Sequence, residues 1–290
     1  MKIVVARKAG FCFGVKRAIK AAYETAGKET KEVATLGPLI HNPQVVARLE
    51  EMNVRTVDRV EDFHGDILII RSHGVPRQVF EKARNAGIEV IDATCPFVKN
   101  AQDFAARLHA DGYRVVIVGD ESHPEVRGIM DYAGESAVVA SDGDGVAGLK
   151  GSRKIGIVAQ TTTTMEKFTS VVARCLEIAR EVKIFNTICD ATHVRQKEAQ
   201  EIAQTVDLML VVGGRNSGNT NRLSEICGQT GTPTRHIETE REIESGWFCG
   251  VSRVGITGGA STPDWIIEAV IDRLREITGD AEVDRKATKS

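Results

Sequence analysis

Six cysteines lie at positions 12, 95, 175, 189, 227 and 249. None forms a C-x-x-C pair, so a zinc ribbon or a thioredoxin-like motif has no support. Cys175, in VVARCLEIA, and Cys227, in RLSEICGQTG, sit in helical apolar spacing and read as buried small hydrophobes. Cys249, beside Trp247 and Phe248 in an irregular stretch, takes the same reading. Cys12, Cys95 and Cys189 differ from these. Each ends a strand-like segment (KIVVARKAGF, IEVIDA and VKIFNTI) and is followed by a helix-like one. Ligands collect at the carboxyl ends of strands in open α/β sheets. Three thiolates converging there make a metal centre. Zinc with three cysteines is one alternative. The other is an iron–sulfur cluster, which usually takes four cysteines and with three leaves one iron open to substrate.

Polar residues recur at the same kind of place. One set is His41, His123 and the stretch Ser217, Gly218 and Asn219; the other is His73, Thr161 and Ser261. All stand where a strand ends and a helix begins, and helix N-termini with exposed N–H groups bind anions. Singly, Ser, Thr and Asn there are ordinary N-caps. Their recurrence suits a diphosphate held by neutral donors without Lys or Arg. Glu125, in SHPEV, is the acid that stands out. Its plain role is a helix-dipole carboxylate. Facing a polyanion, its pKa would rise by like-charge repulsion, which suits a proton donor. The stretch GGRNSGNT lacks the Lys of a P-loop and the spacing of a Rossmann fingerprint.

The elements that position these residues repeat three times. From each of the three cysteines the order is helix, strand, polar loop, helix, strand, polar loop, helix, and a strand delivering the chain to the next cysteine. The third unit lacks its delivering strand at the C-terminus, and KIVVARKAGF supplies it from the N-terminus. Short Val/Ile-rich strands alternating with amphipathic helices mark parallel α/β units buried on both faces. The expected fold is α/β: three small α/β subdomains with parallel-type sheets around a pseudo-threefold axis, the N-terminal strand completing the third. The boundaries are 13–95, 96–189 and 190–279 plus 1–12, with 280–290 a flexible tail. Gly87, Gly112 and Gly231 fit helix C-caps, and Asp190 and Asp264 begin helices.

Bulk properties narrow the setting. The 290 residues are 42% hydrophobic and 27% charged with net charge −2, ordinary for a globular protein. There is no basic block for nucleic acid, no apolar run of membrane-spanning length and no signal-peptide pattern at the N-terminus. The expected compartment is the cytoplasm, where structural disulfides are rare, and the expected state is a monomer.

The motifs AGFCFGVKRAI, GPLIHNP, RSHGVP, DATCPFV, HPEV, QTTTT, ICDATHVRQ, GGRNSGNTNRL and GITGGASTPDW resemble, in order, those of the 4-hydroxy-3-methylbut-2-enyl diphosphate reductase family. The resemblance runs to about Gly279. It implies the last step of the non-mevalonate isoprenoid pathway: reductive dehydroxylation of the substrate to isopentenyl and dimethylallyl diphosphates. It implies a 4Fe–4S cluster on Cys12, Cys95 and Cys189, with the fourth iron open to the substrate hydroxyl. It implies diphosphate contacts from His41, His73, His123, Ser217, Asn219 and Ser261. Thr161 matches the residue near the hydroxyl and Glu125 the proton source. Gly218 stands where a common family variant has a second serine, so a side-chain hydroxyl contact is absent there and a backbone N–H could take its place. The chain has no flavin or nicotinamide motif, so an external donor such as ferredoxin or flavodoxin is implied. Two other classes compete. A hydro-lyase acting by Lewis acidity would call for Arg or Lys pairs on carboxylates, and a non-catalytic iron or redox sensor would not need so many anion-binding loop ends.

Overall fold

The structure is a computed structural model describing residues 1–27, 31–279 and 281–285. The chain opens with β1 (Lys2–Val5) and α1 (Phe13–Ala26). There follow β2 (Val33–Leu36), α2 (Pro43–Glu51), β3 (Val54–Val57), β4 (Ile67–Ile70), α3 (Arg77–Asn85) and β5 (Glu89–Asp92). The next run is α4 (Pro96–Ala110), β6 (Arg114–Val118), α5 (Pro124–Ala133), β7 (Val138–Ala140), β8 (Lys154–Ala159), α6 (Met165–Ile178) and β9 (Glu181–Ile184). The last is α7 (Asp190–Ala203), β10 (Leu208–Val212), α8 (Gly218–Gln229), β11 (Thr234–Ile237), β12 (Arg253–Gly258), α9 (Asp264–Thr278) and β13 (Glu282–Arg285).

These strands form three wholly parallel sheets, in the orders β3-β2-β4-β5, β7-β6-β8-β9 and β11-β10-β12-β1-β13. Taken by place within each repeat, the order is the same three times, second-first-third-fourth. In the third sheet β1 is the fourth strand, pairing Lys2 with Arg253 and Val5 with Ile256. The N-terminal strand therefore completes the third α/β subdomain, as the repeat requires.

Alternation within the strands explains why both faces of a sheet are covered. Ile3, Val5, Leu208, Leu210 and Val212 join one core with Ile266, Val270 and Leu274 of α9. Val4, Met209 and Val211, pointing the other way, join a second core with Ile202, Leu223 and Cys227 of α7 and α8. The β6–β8 sheet is packed likewise, Val116 and Ile157 on one side and Val115 and Ile117 on the other. Each such Val, Ile or Leu contributes about 1.5–3 kcal/mol when fully buried. Gly87, Gly112 and Gly231 follow α3, α4 and α8 at φ of 73°, 78° and 84°, the left-handed C-caps anticipated from sequence.

Two expectations are corrected. Each subdomain has an edge strand that the repeat did not include: β3 (VRTV), β7 (VVA) and β11 (TRHI). They are three or four residues long and partly exposed, too short for a pattern that separates them from loop. The flexible tail assigned to 280–290 also fails at Glu282–Arg285, which pairs in parallel with β1. Its sequence EVDR is polar because it is an exposed edge, held by Lys2 bridging Glu282 at 3.4 Å and Asp284 at 3.2 Å. Residues 280 and 286–290 lie outside the described residues.

By contacts the chain divides into two compact units, one of Met1–Val15, His41–Val45 and Asp190–Ser290, the other of Lys16–Ile40 and Val46–Cys189. The first contains the β1-completed sheet and the second the other two. Among the described residues no helix is long and apolar enough to cross a membrane.

Candidate active site

Each of the three singled-out cysteines directly precedes a helix, Cys12 before α1, Cys95 before α4 and Cys189 before α7. Each is half-buried. Their backbones are held in one way. The Cys12 N–H donates to the Ala260 carbonyl at 3.0 Å, Cys95 to Ser72 at 2.9 Å and Cys189 to Thr161 at 2.9 Å. The accepting residue is in every case the second of a four-residue turn closed by an N–H to carbonyl bond, 259–262, 71–74 and 160–163. The other cysteines differ. Burial pushes the Cys175 thiol up to about 11 and the Cys227 thiol to about 12, so both stay protonated and inert. Cys249 is exposed, outside any strand end.

The turns correct one detail of the sequence reading. Thr161 had been matched with His73 and Ser261, but it stands second in its turn with Ser72 and Ala260. The third place belongs to His73, Thr162 and Ser261. One-residue slips of this kind arise because a run such as QTTTT carries no internal marker of register.

In the unit of Lys16–Ile40 and Val46–Cys189, the structure links five of the expected residues in a chain of contacts. The His73 and His123 rings meet edge to face at 5.2 Å. His123 caps α5, its Nδ1 accepting the Glu125 N–H at 3.2 Å. A neutral His123 therefore carries its proton on Nε2, as a donor. Glu125 is 1% exposed. Its Oε1 accepts the Thr161 N–H at 2.6 Å and its Oε2 the Thr161 hydroxyl at 2.8 Å. The Thr161 carbonyl in turn receives the Cys189 N–H.

Burial pushes the Glu125 carboxyl up to about 7, against the two bonds from Thr161, which favour its charged form. The cause differs from the one anticipated: desolvation raises the pKa before any anion is near. Sequence reasoning also missed Gln160, buried beside this pair. Its Oε1 accepts the Asp120 N–H at 3.0 Å and its Nε2 donates to Thr162 at 3.0 Å. A buried amide opening a polar run at a strand end was the available signal.

In the other unit, Ser217 caps α8, its hydroxyl accepting the Thr220 N–H at 3.4 Å. Asn219 is 5% exposed, and neither amide atom has a hydrogen-bond partner among the described residues. Such a group needs a partner to repay its desolvation, and a phosphate oxygen and its proton-bearing neighbours would serve. The Ser261 hydroxyl donates to the His41 carbonyl at 3.0 Å, next to the Ala260 carbonyl that holds Cys12. The His41 carbonyl would lie 2.7 Å from a Cβ at position 214, so only glycine lets the two loops meet. A Cβ at Gly218 would meet nothing within 4 Å. The helix-start expectations for Asp190 and Asp264 hold as well.

The family model described as LytB protein matches residues 3–275. A 4-hydroxy-3-methylbut-2-enyl diphosphate reductase of Pelobacter propionicus is 52% identical over 277 residues, 96% of this chain and 99% of the relative. The protein of that name from Geobacter sulfurreducens is 52% identical over 276 residues, 95% of this chain and 98% of the relative. A solved structure of (E)-4-hydroxy-3-methyl-but-2-enyl diphosphate reductase is 46% identical with TM-score 0.72, covering 95% of this chain and 100% of that one. The E-1-hydroxy-2-methyl-but-2-enyl-4-diphosphate reductase of Plasmodium falciparum, 24% identical, shares the fold at TM-score 0.92 over 100% of this chain and 93% of that one. With the family model matched over residues 3–275 and relatives 52% identical along nearly their whole length, this chain belongs to the LytB family.

Proposed function

We propose that the protein is an iron–sulfur oxidoreductase that reduces (E)-4-hydroxy-3-methylbut-2-enyl diphosphate to isopentenyl and dimethylallyl diphosphates. Two electrons and two protons enter and the C4 hydroxyl leaves as water, the last step of the non-mevalonate pathway. Cys12, Cys95 and Cys189 would hold a 4Fe–4S cluster. The donor set fits: three half-buried thiols at equivalent helix starts, while the two fully buried thiols stay protonated. When bound, the cluster supplies electrons singly and one iron without a protein ligand.

The observation that carries the reading is Glu125. Its carboxyl, pushed up to about 7, still holds a proton near neutral pH. With Oε1 occupied by the Thr161 N–H, the acid proton sits on Oε2 and donates to Thr161 Oγ1 across the 2.8 Å separation. The Thr161 hydroxyl proton is then released to point onward at the departing hydroxyl. The carboxylate left behind is stabilised by the same two donors, and solvent or the diphosphate reprotonates it. His41, His73, His123, Ser217, Asn219 and Ser261, with the Gly218 N–H, bind the diphosphate. The α8 N-terminus adds a favourable dipole. An allylic anion equivalent protonated at either end accounts for two products. Electrons arrive from an external ferredoxin or flavodoxin, and the protein works as a cytoplasmic monomer.

The test is anaerobic turnover of the iron- and sulfide-loaded protein with substrate and reduced methyl viologen. Two equivalents of viologen oxidised per diene-free C5 diphosphate formed supports the reading. Loss of substrate without viologen oxidation would mean a lyase. Cys95→Ser should carry no stable cluster and no turnover, whereas Cys175→Ala should keep both; full iron content in Cys95→Ser removes it from the ligand set.

A further inference from the structure

The motif ICDATHVRQ places an arginine six residues beyond Cys189, and nothing in the proposed chemistry uses it. Arg195, on α7, is only 3% exposed, and Glu198, one turn further along, is 7% exposed. Charged side chains are seldom this buried unless their hydrogen bonds are met. Four hydrogen bonds from this pair go to backbone groups around Cys12. The Arg195 guanidinium donates through Nη1 to the Lys8 carbonyl, and at 2.9 Å to the Gly258 carbonyl. The Glu198 carboxylate accepts the Arg7 N–H at Oε1 and the Lys8 N–H at Oε2, both at 2.9 Å.

The two tethered segments are the two that place Cys12. Arg7 and Lys8 begin the connection from β1 to the cysteine. Gly258 leads directly into the 259–262 turn, whose Ala260 carbonyl receives the Cys12 N–H. The connection is irregular, with Gly10 at φ +110° and too close to the Asp264 carboxylate for a side chain. An irregular segment lacks a ladder of its own to hold it, so side chains must satisfy its backbone. In the other unit a lighter version occurs: Arg17 donates to the Thr94 carbonyl at 2.8 Å, one residue before Cys95.

We propose that Arg195 and Glu198 are positioning residues for Cys12, a buried charged strap that sets the geometry of this thiol without touching substrate or cluster. The inference rests on Cys12 being a ligand only for its functional meaning; the strap itself is testable on the thiol. Each bond joins a charged group to a backbone amide, the stronger class of hydrogen bond. Removing one partner leaves backbone groups buried and unpaired, so the connection should open locally while the sheets persist.

The test uses the full-length, reduced, metal-free protein. Iodoacetamide alkylation is followed at each cysteine by peptide mass spectrometry, in wild type, Arg195→Lys, Arg195→Met and Glu198→Gln. The expected result is an increase of about tenfold or more in Cys12 alkylation in Arg195→Met, and a smaller increase in Glu198→Gln. Cys95 and Cys189 should stay within about twofold of wild type, and Arg195→Lys should rescue in part. In the loaded protein the electron paramagnetic resonance signal of the reduced cluster should shift in the same order. If Arg195→Met does not fold, Glu198→Gln decides. Unchanged Cys12 reactivity in a folded variant overturns the strap, and so does an equal rise at all three cysteines, which would mean general loosening. These outcomes hold whether or not the reductase assignment does.

Discussion

Glu125 and Asn219 occupy the same place in two subdomains, each the second residue of a helix that follows a strand end. His123 caps the first helix and Ser217 the second. Both residues are buried, at 1% and 5% exposure. One can exchange a proton and the other cannot. Gln44, second residue of α2 behind the capping Asn42, is the third residue at this place and the second amide. A repeated scaffold has thus been given one acid and two amides. The acid is tied to the Thr161 backbone and hydroxyl, so its protonation is coupled to a neighbour. The Asn219 amide atoms have no hydrogen-bond partner among the described residues. The scaffold offers a helix start of this kind three times, and under the proposed function the side chain at one position would divide it into proton delivery and binding.

The sharpest way to break this contrast is Glu125→Gln. It keeps size and both acceptor-facing contacts in part, but removes the acidic proton. Turnover with a chemical reductant should fall by about 10²–10⁴-fold, with iron content and substrate affinity retained. Normal turnover would mean that another group delivers the proton and that the two positions do not differ in role.

Asn219→Ala should show the opposite pattern. Hydrogen bonds to a charged group are worth roughly 1.5–3 kcal/mol, so KM should rise by about 10–100-fold while kcat changes by only a few-fold. A dominant loss in kcat instead would place Asn219 in the chemistry.

Acidity separates the two positions further. The Glu125 carboxyl at about 7 lies above its ordinary value of 4.5. The folded protein therefore binds more protons than the unfolded chain between these values. The contribution to stability is full below about 4.5 and is lost as pH rises through about 7. Denaturant titrations from pH 5 to 8 should show this decline in wild type, and Glu125→Gln should flatten it. The kcat profile should fall above about 7 in wild type and in Asn219→Ala alike. A decline in stability that persists in Glu125→Gln would assign it to another group.

The smallest effect is expected at Gly218, the first residue of α8. A Cβ there meets nothing within 4 Å, and the position needs no positive φ. Gly218→Ser should leave KM and kcat within about twofold, because the backbone N–H remains available. A large gain in affinity would show that a hydroxyl adds a contact the N–H does not replace.

Much of the frame was legible in the residues because it rests on short-range signals. Unbroken apolar runs in DILIIR and VDLMLVVG mark strands buried on both faces, and glycines after α3, α4 and α8 mark the ends of those helices. The order of elements from each cysteine was enough to place β1 in the third sheet. The edge strands and β13 were not legible, since three or four partly exposed residues carry too little pattern, and pairing decides them.

The sequence by itself determined which side chains stand at strand ends, because hydrophobic period and turn residues act over a few positions. Only the tertiary structure decided what those side chains became. The carboxyl of Glu125 is an acid near neutral pH because packing removes its water and brings Thr161, 36 positions away, onto both its oxygens. Arg195 reaches the Lys8 carbonyl across 187 positions of chain. Desolvation and such long-range bonds depend on everything that surrounds a group once the chain has folded, and no local pattern of residues encodes them.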